Sequence, residues 1–331
     1  MKTRIAINGF GRIGRNLFRL LINHPTIEVV AINDLADNKT MAHLLKYDSI
    51  HGKLSEDVIF DENHIIVDNH KVVFFHEKEI SKINWKDLKI DIVIESTGKH
   101  KTTELLQNHI NNGAKKVILS VSPEDNLIKT VVLGVNDSIL DGSELIVSNA
   151  TCTTNNAAPM IKIIKELCGL DKAFITTVHS YTTDQSLHDQ PHKDLRRARA
   201  AAQSMIPTTT GAAKALTKIF PEYEGRIGGG GIRVPVPDGS LTDITCYVNR
   251  DITVDEINEA FKKASENELK GILEYTEDPI VSIDVVGNSH SCLFDAQLTS
   301  VLDRMVKIVG WYDNEIGYSS RIIDLIEKIT N

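Results

Sequence analysis

Two side chains suited to nucleophilic chemistry stand in neighbouring stretches of this chain. Cys152 lies in Ser148-Asn149-Ala150-Thr151-Cys152-Thr153-Thr154-Asn155, and His179 lies in Val178-His179-Ser180-Tyr181. The apolar run Leu145-Ile146-Val147 feeds the cysteine stretch like a strand. Ala157 to Leu167 then reads as a helix stopped at Gly169. Cys152 is thereby set at a strand-to-helix turn, close to a helix N-terminus. Unpaired backbone N–H groups there favour a thiolate and can hold an anion. An attacking sulfur beside anion-binding amides is what acyl chemistry requires. Position alone leaves open a small, buried, inert thiol. His179 closes a strand, Ala173 to Val178. A lone histidine is commonly structural, but a thiol at a helix start with an imidazole in the next element suits an activated nucleophile with a proton acceptor.

Three further stretches could handle anions. Pro207-Thr208-Thr209-Thr210-Gly211-Ala212-Ala213-Lys214 offers hydroxyls and a glycine at a helix start, either an anion cradle or an N-cap cluster. Gly228 to Gly231 reads as a flexible run before Ile232-Arg233-Val234, a strand in which the Arg233 guanidinium could clamp a phosphate. The polar stretch from Gln185 to Ile206 carries a basic segment, Pro191 to Arg199. It reads as a solvated loop or, given its length, as a functional or interfacial one.

The first half must supply a second substrate. Arg4-Ile5-Ala6-Ile7 is a buried-type strand that runs into Asn8-Gly9-Phe10-Gly11-Arg12-Ile13-Gly14, a G-x-G-x-x-G. Ile13, Leu17, Leu20 and Leu21 follow at helical spacing. The strand Glu28 to Ile32 then ends at Asn33-Asp34. Strand, glycine turn, helix and a terminal acid about 20 residues on form the dinucleotide fingerprint. Asp34 would accept from the adenosine ribose hydroxyls and repel a ribose phosphate, which favours NAD over NADP. Strand-like segments follow at Val58–Phe60, Ile65–Val67 and Val72–Phe75. Asp91 to Glu95 and Lys115 to Leu119 are buried-type strands, and their ends make Thr97 and Ser120 candidate cofactor contacts.

The chain has 331 residues, room for about two domains. A formal charge of −8 gives no electrostatic footprint for nucleic acid. No long apolar span and no signal-peptide pattern is seen, so neither a membrane nor an export route is expected. Cys152, Cys168, Cys246 and Cys292 have neither metal-ligand nor disulfide-framework spacing, which predicts no metal and a reducing, cytoplasmic compartment. In the second half Thr253-Val254-Asp255-Glu256 reads as a capping box. Val281–Val285 and Met305–Val309 read as strands, and Tyr318 to Ile329 reads as a closing helix. The expected fold is α/β. It comprises a Rossmann dinucleotide-binding domain over 1–150 and 315–331, and an α+β catalytic domain over 151–314 with a mainly antiparallel sheet.

Taken together these stretches resemble the phosphorylating glyceraldehyde-3-phosphate dehydrogenase family over essentially the whole chain. The matching stretches are Ile7 to Arg15, Ala42 to Asp48, Ser148 to Asn155, Thr176 to Tyr181, His192 to Ala201, Pro207 to Lys214 and Trp311 to Glu315. The resemblance implies NAD-dependent oxidation of glyceraldehyde-3-phosphate to an acyl phosphate, through a thiohemiacetal and thioester on Cys152 with His179 as base. It places Thr182, Asp184, Arg197 and Arg233 in the substrate-phosphate region, and Thr151, Thr153, Thr210 and Gly211 in the attacking-phosphate region. It assigns Gly9, Phe10, Gly11, Arg12, Ile13, Gly14, Asp34, Lys78, Thr97, Ser120, Asn314 and Tyr318 to the cofactor. It also implies a homotetramer with Gln185–Ile206 as a subunit-contact loop. The chain departs from the family pattern in having Thr151 before the nucleophile and Asn156 where a second cysteine is common. Lys99 and His100 stand where an aromatic residue is common. The alternatives are erythrose-4-phosphate dehydrogenase, a thiol hydrolase and a non-catalytic NAD-binding redox sensor.

Overall fold

The computed structural model describes residues 2–330; Met1 and Asn331, the outermost positions of the expected domain spans, lie outside the described residues. The chain divides into two units. One holds the chain up to Val131, Asp137–Ala150 and the chain from Ser319 on; the other holds Val132–Asn136 and Thr151–Tyr318.

The first unit is built on β1 (Thr3–Asn8), α1 (Arg12–Leu21), β2 (Ile27–Asn33), α2 (Asn38–Lys46), β3 (Val58–Phe60), β4 (His64–Val67), β5 (His70–Phe75), β6 (Ile92–Glu95), α3 (Thr103–Asn111), β7 (Lys116–Leu119), β8 (Lys129–Thr130) and β9 (Ile146–Ser148). These strands form one sheet in the order β8-β9-β7-β6-β1-β2-β5-β4-β3. From β8 to β5 all neighbours are parallel, and β5-β4-β3 close the edge as antiparallel pairs. Runs such as Ile5-Ala6-Ile7 and Ile92-Val93-Ile94 are apolar at every position because a parallel sheet is covered on both faces. One core cluster gathers Ala6, Ala31, Trp85, Val93, Leu106 and Val117. β1 lies between β2 and β6, so the crossovers leave it in opposite directions. The ends of β1, β2 and β6 thereby border the switch point where α/β sheets bind ligands.

The second unit begins with α4 (Cys152–Cys168) and β10 (Leu170–Ser180), and continues through β11 (Ile206–Thr208), α5 (Ala212–Ile219), β12 (Ile227–Val234), β13 (Ser240–Val248) and α6 (Val254–Glu266). It ends with β14 (Leu273–Thr276), β15 (Cys292–Asp295), β16 (Ser300–Leu302) and β17 (Met305–Tyr312); α7 (Ile316–Thr330) follows. The sheet order is β11-β12-β10-β13-β17-β15-β14, with β16 on β17. Only β10/β12 and β14/β15 pair in parallel, so the sheet is mainly antiparallel as expected. The capping box forms as read: Thr253 and Glu256 each bond the other's backbone N–H.

Three local readings need correction. Gly228–Gly231 is not a flexible run but the body of β12, paired residue for residue with β10 from Phe174 to Thr177. A Cβ at Gly229 would sit 2.8 Å from the Ile175 carbonyl oxygen, so the glycines permit close approach rather than mobility. Ser282–Val285 is a 3-10 turn, not a strand. Asp284 accepts from the Val281 N–H at 2.8 Å, and Val281 and Ile283 are both exposed, so the apolar alternation has no sheet to face. Finally, α4 starts at Cys152 rather than Ala157, because Thr151 caps it through the Thr154 N–H at 3.2 Å.

Candidate active site

Cys152 is the first residue of α4 and His179 the penultimate residue of β10. Cys152 Sγ lies 3.5 Å from His179 Nε2, within contact range for a sulfur. The other ring nitrogen, Nδ1, lies 2.8 Å from the Ser180 carbonyl; in the tautomer that donates to that carbonyl, Nε2 is the basic atom facing the thiol. Arg233 comes from β12, in register with His179. Its Nη1 donates to the same carbonyl at 2.8 Å and lies 2.6 Å from Nδ1. The β10/β12 pairing that the glycines allow therefore sets a guanidinium against the imidazole. Burial, reinforced by the Arg233 charge, holds His179 down at about 3, so the imidazole is neutral. Burial pushes the Cys152 thiol up, while Arg233 and the Thr153 N–H pull toward the thiolate.

A buried phenol braces this pair. The Tyr312 hydroxyl lies 2.9 Å from the Thr153 hydroxyl and 3.0 Å from the Thr177 hydroxyl, and its ring meets His179 edge-on, 6.0 Å between centroids. Nothing in the sequence singled out Tyr312 as a brace; its alternation inward along β17 was the available signal. Asn314 Oδ1 accepts from the hydroxyls of Ser180 at 2.8 Å and Ser240 at 2.7 Å. Those two serines were also missed. Arg197 donates to Thr208 at 2.9 Å and is paired with Asp184. Its charge contributes to holding His179 neutral. Thr182 donates to the Gln185 side chain through its backbone N–H at 3.3 Å. Thr210 accepts from Ala212 N–H at 3.2 Å, and Gly211 opens α5 with no side-chain cap. The structure thus joins Cys152, Thr153, His179 and Arg233 in one cluster, with Arg197 and Asp184 beside it. Among the described residues no hydrogen bond joins Thr182, Thr210 or Gly211 to it.

The glycine turn of the first unit fits a dinucleotide. Gly9 has φ of 99°, and a Cβ there would meet the Thr97 nitrogen at 2.6 Å. At Gly11 a Cβ would meet nothing within 4 Å, and α1 starts with no side-chain cap, which leaves first-turn N–H groups for a pyrophosphate. Asp34 accepts from Phe10 N–H at 2.8 Å, so the acid is fixed beside the turn. Phe10 and Gly14 are buried; Arg12 pairs with Asp48 and Ile13 is half-buried. Thr97 and Ser120 lie just beyond β6 and β7, Lys78 is exposed after β5, and Tyr318 is buried in α7. Of these, Thr97 meets the turn directly.

Comparison with known proteins decides the family. Residues 3–103 match the glyceraldehyde 3-phosphate dehydrogenase NAD binding domain, and residues 151–314 match the glyceraldehyde 3-phosphate dehydrogenase C-terminal domain. The chain belongs to the glyceraldehyde-3-phosphate dehydrogenase family. It is 52% identical to glyceraldehyde-3-phosphate dehydrogenase 2 of Streptomyces avermitilis over 100% of this chain and 99% of that protein. It is 49% identical to the glyceraldehyde-3-phosphate dehydrogenase of Geobacillus stearothermophilus, again over 100% and 99%. For glyceraldehyde-3-phosphate dehydrogenase 1 of Bacillus subtilis the identity is 47%, over 99% and 98%. The NAD-binding match covers the glycine turn and Asp34; the C-terminal match covers Cys152, His179, Arg233 and Asn314. Among the described residues no helix is long and apolar enough to cross a membrane.

Proposed function

We propose that this chain is an NAD-dependent oxidoreductase that converts glyceraldehyde-3-phosphate and inorganic phosphate to an acyl phosphate. The observation that carries the reading is the Cys152–His179 contact at the start of α4, with Arg233 against the imidazole. Cys152 Sγ bonds to the aldehyde carbon while its proton passes to His179 Nε2. The oxygen so formed is stabilised as an anion by the N-terminal amides of α4 until His179 Nε2 returns that proton to it, which frees Nε2 to act as base again. NAD held by the glycine turn and Asp34 would supply the hydride acceptor for that carbon. His179 removes the hydroxyl proton as the carbon–oxygen double bond re-forms, leaving a thioester. A phosphate oxygen then attacks the thioester carbon, and the carbon–sulfur bond breaks to return the thiolate.

Arg233 and Arg197 would take the substrate phosphate, whose charge offsets the guanidinium that keeps His179 uncharged. Asp184 orients Arg197, and Thr182 belongs to the same loop. Thr151, Thr153, Thr210 and Gly211 are assigned to the attacking phosphate. Gly9 to Gly14, Asp34, Thr97 and Ser120 would hold the adenosine and pyrophosphate, with Lys78 and Tyr318 as outer contacts. Asn314 is assigned to the nicotinamide amide: its oxygen already accepts twice, so its N–H groups remain for a ligand carbonyl. The domains are read as 1–150 with 315–331, and 151–314. Exposed Leu187, Leu195 and Met205 on the long loop support a homotetramer, and four free thiols support a cytoplasmic setting. Erythrose-4-phosphate is not favoured as substrate, given relatives that carry the triose name.

A steady-state assay of the purified chain tests this, with NAD against NADP and with or without phosphate. NADH should form with the triose phosphate, and turnover should fall when phosphate is withheld. Equal rates without phosphate, or no NADH, would sink the reading.

A further inference from the structure

Glu95 closes β6 with its carboxylate fully buried, at 0% exposure. Carboxylates rarely tolerate this unless surrounded by donors. Asn8 Nδ2 donates to Oε2 at 2.6 Å and His109 Nε2 donates to the same oxygen at 3.2 Å. Oε1 accepts from the Thr97 N–H at 2.9 Å and from the Thr97 hydroxyl. His100 Nδ1 lies 3.4 Å from Oε2 on the outer side. The His109 tautomer is dictated from behind: the Trp85 indole N–H donates to Nδ1 at 3.0 Å, so the ring proton sits on Nε2 and points at Glu95. Asn8 carries the chain onward, because its Oδ1 accepts from Asn33 Nδ2 at 2.7 Å. One buried carboxylate therefore ties together the ends of β1, β2 and β6 and the body of α3.

Those strand ends frame the Gly9 turn. Gly9 N–H donates to the Asn33 carbonyl at 2.8 Å, and the Ser96 hydroxyl donates to the Gly9 carbonyl at 2.7 Å. With Thr97 so close that no Cβ fits on Gly9, the turn and the Thr97 loop have no slack between them. A shift in either moves the other.

We propose that Glu95 is a positioning residue for the dinucleotide: its carboxylate holds Asn8 and Thr97 on the two sides of the Gly9 turn and so fixes the cradle that receives the cofactor. The inference rests on the reading that NAD binds at this turn. Glu95 itself touches neither the cofactor nor the reacting atoms.

The test is Glu95→Gln. Glutamine keeps the volume but offers one acceptor oxygen in place of two, so either Thr97 or the Asn8 and His109 donors lose their partner. The dissociation constant for NAD by calorimetry, and KM for NAD, should both rise by about tenfold or more, the usual scale for a lost hydrogen bond to a buried charge. With NAD saturating, kcat should stay within about twofold of wild type, and the rate of Cys152 alkylation should keep its pH profile. The Trp85 indole proton resonance should move, because its histidine partner is released. NAD affinity within about twofold of wild type, or a fall in kcat with KM unchanged, overturns the proposal. If Glu95→Gln does not fold, Asn8→Ala is read by the same affinity criterion. Wild-type protein that fails to bind NAD overturns the cofactor reading instead, whereas wild-type binding with an unaffected Glu95→Gln overturns only the positioning role.

Discussion

His179 is buried, and it sits against a permanent cation. Both facts favour the uncharged imidazole, so its folded value of about 3 lies below the ordinary histidine value. Between those limits the unfolded chain binds a proton that the native state refuses. Native stability attributable to His179 is therefore complete above about pH 6.5 and is lost as pH falls toward 3. Urea midpoints measured at pH 7 and pH 5 should drop less in His179→Asn than in wild type; equal drops would remove His179 as the source. The same variant should slow the chemical step by about 10²–10⁴-fold in single-turnover assays if Nε2 is the base. Cys152→Ser should abolish it, because a hydroxyl is less acidic and less nucleophilic than a thiol. Asp34 offers a parallel case in the first unit. Asp34→Ala removes the charge that would repel a ribose phosphate, and it also strands the Phe10 N–H. NAD should bind more weakly and the NAD/NADP preference ratio should narrow; an unmoved ratio would show that another group selects the cofactor.

At the scale of elements, β12 is the strand on which the site depends and the one least legible beforehand. Four consecutive glycines carry no hydrophobic pattern, and by propensity they argue against a strand. Part of what makes them one is invisible in one dimension: a Cβ at Gly229 would meet the Ile175 carbonyl at 2.8 Å, and one at Gly228 would press on the Phe174 ring at 3.2 Å. The glycine strand brings Arg233 into register with His179. Gly229→Ala should therefore cost about 1–3 kcal/mol, the usual scale for overpacking. It should also weaken turnover more than its loss of stability explains, because β12 must move away from β10. Thermal unfolding together with kcat/KM checks both, and an alanine variant of full stability and activity would show that the strands have room. The turn at Ser282–Val285 teaches the reverse lesson. Val281, Ile283 and Val285 alternate like a strand, yet only Val285 is buried, and local hydrogen bonding by Asp284 decides the backbone.

Over the whole molecule, the Rossmann half was legible because its signals are local: an apolar strand, a glycine turn, a helix and an acid in unbroken succession. Cys152 and His179 were legible for a related reason, since α4 and β10 are consecutive, only Gly169 separates them, and the strand runs back to the start of the helix. Tyr312 was not, because 159 positions separate it from the Thr153 hydroxyl that it meets. The same three-dimensional bookkeeping governs oxidation. Asn156 stands one helical turn beyond Cys152 and donates to the Ser291 and Trp311 carbonyls at 3.3 and 3.1 Å, so it is a packing residue with no redox capacity. Cys168 ends the same helix, roughly 24 Å from Cys152 at about 1.5 Å per residue, and disulfides need Cα atoms within about 7 Å. Cys246 and Cys292 are buried, with thiols pushed up by burial to about 12 and beyond. A sulfenic acid formed on Cys152 would thus have no resolving thiol on its own helix, and the remaining thiols are poor nucleophiles. Mild peroxide should inactivate through Cys152 without an intrachain bridge. Excess peroxide should carry it to sulfinic and sulfonic acids unless an added thiol such as glutathione caps it first. Mass spectrometry of peroxide-treated protein, digested without reductant, reads the outcome directly. A substantial Cys152 intrachain disulfide would mean that the chain opens far enough for a buried cysteine to reach the surface, and the argument from helix length and burial would fail.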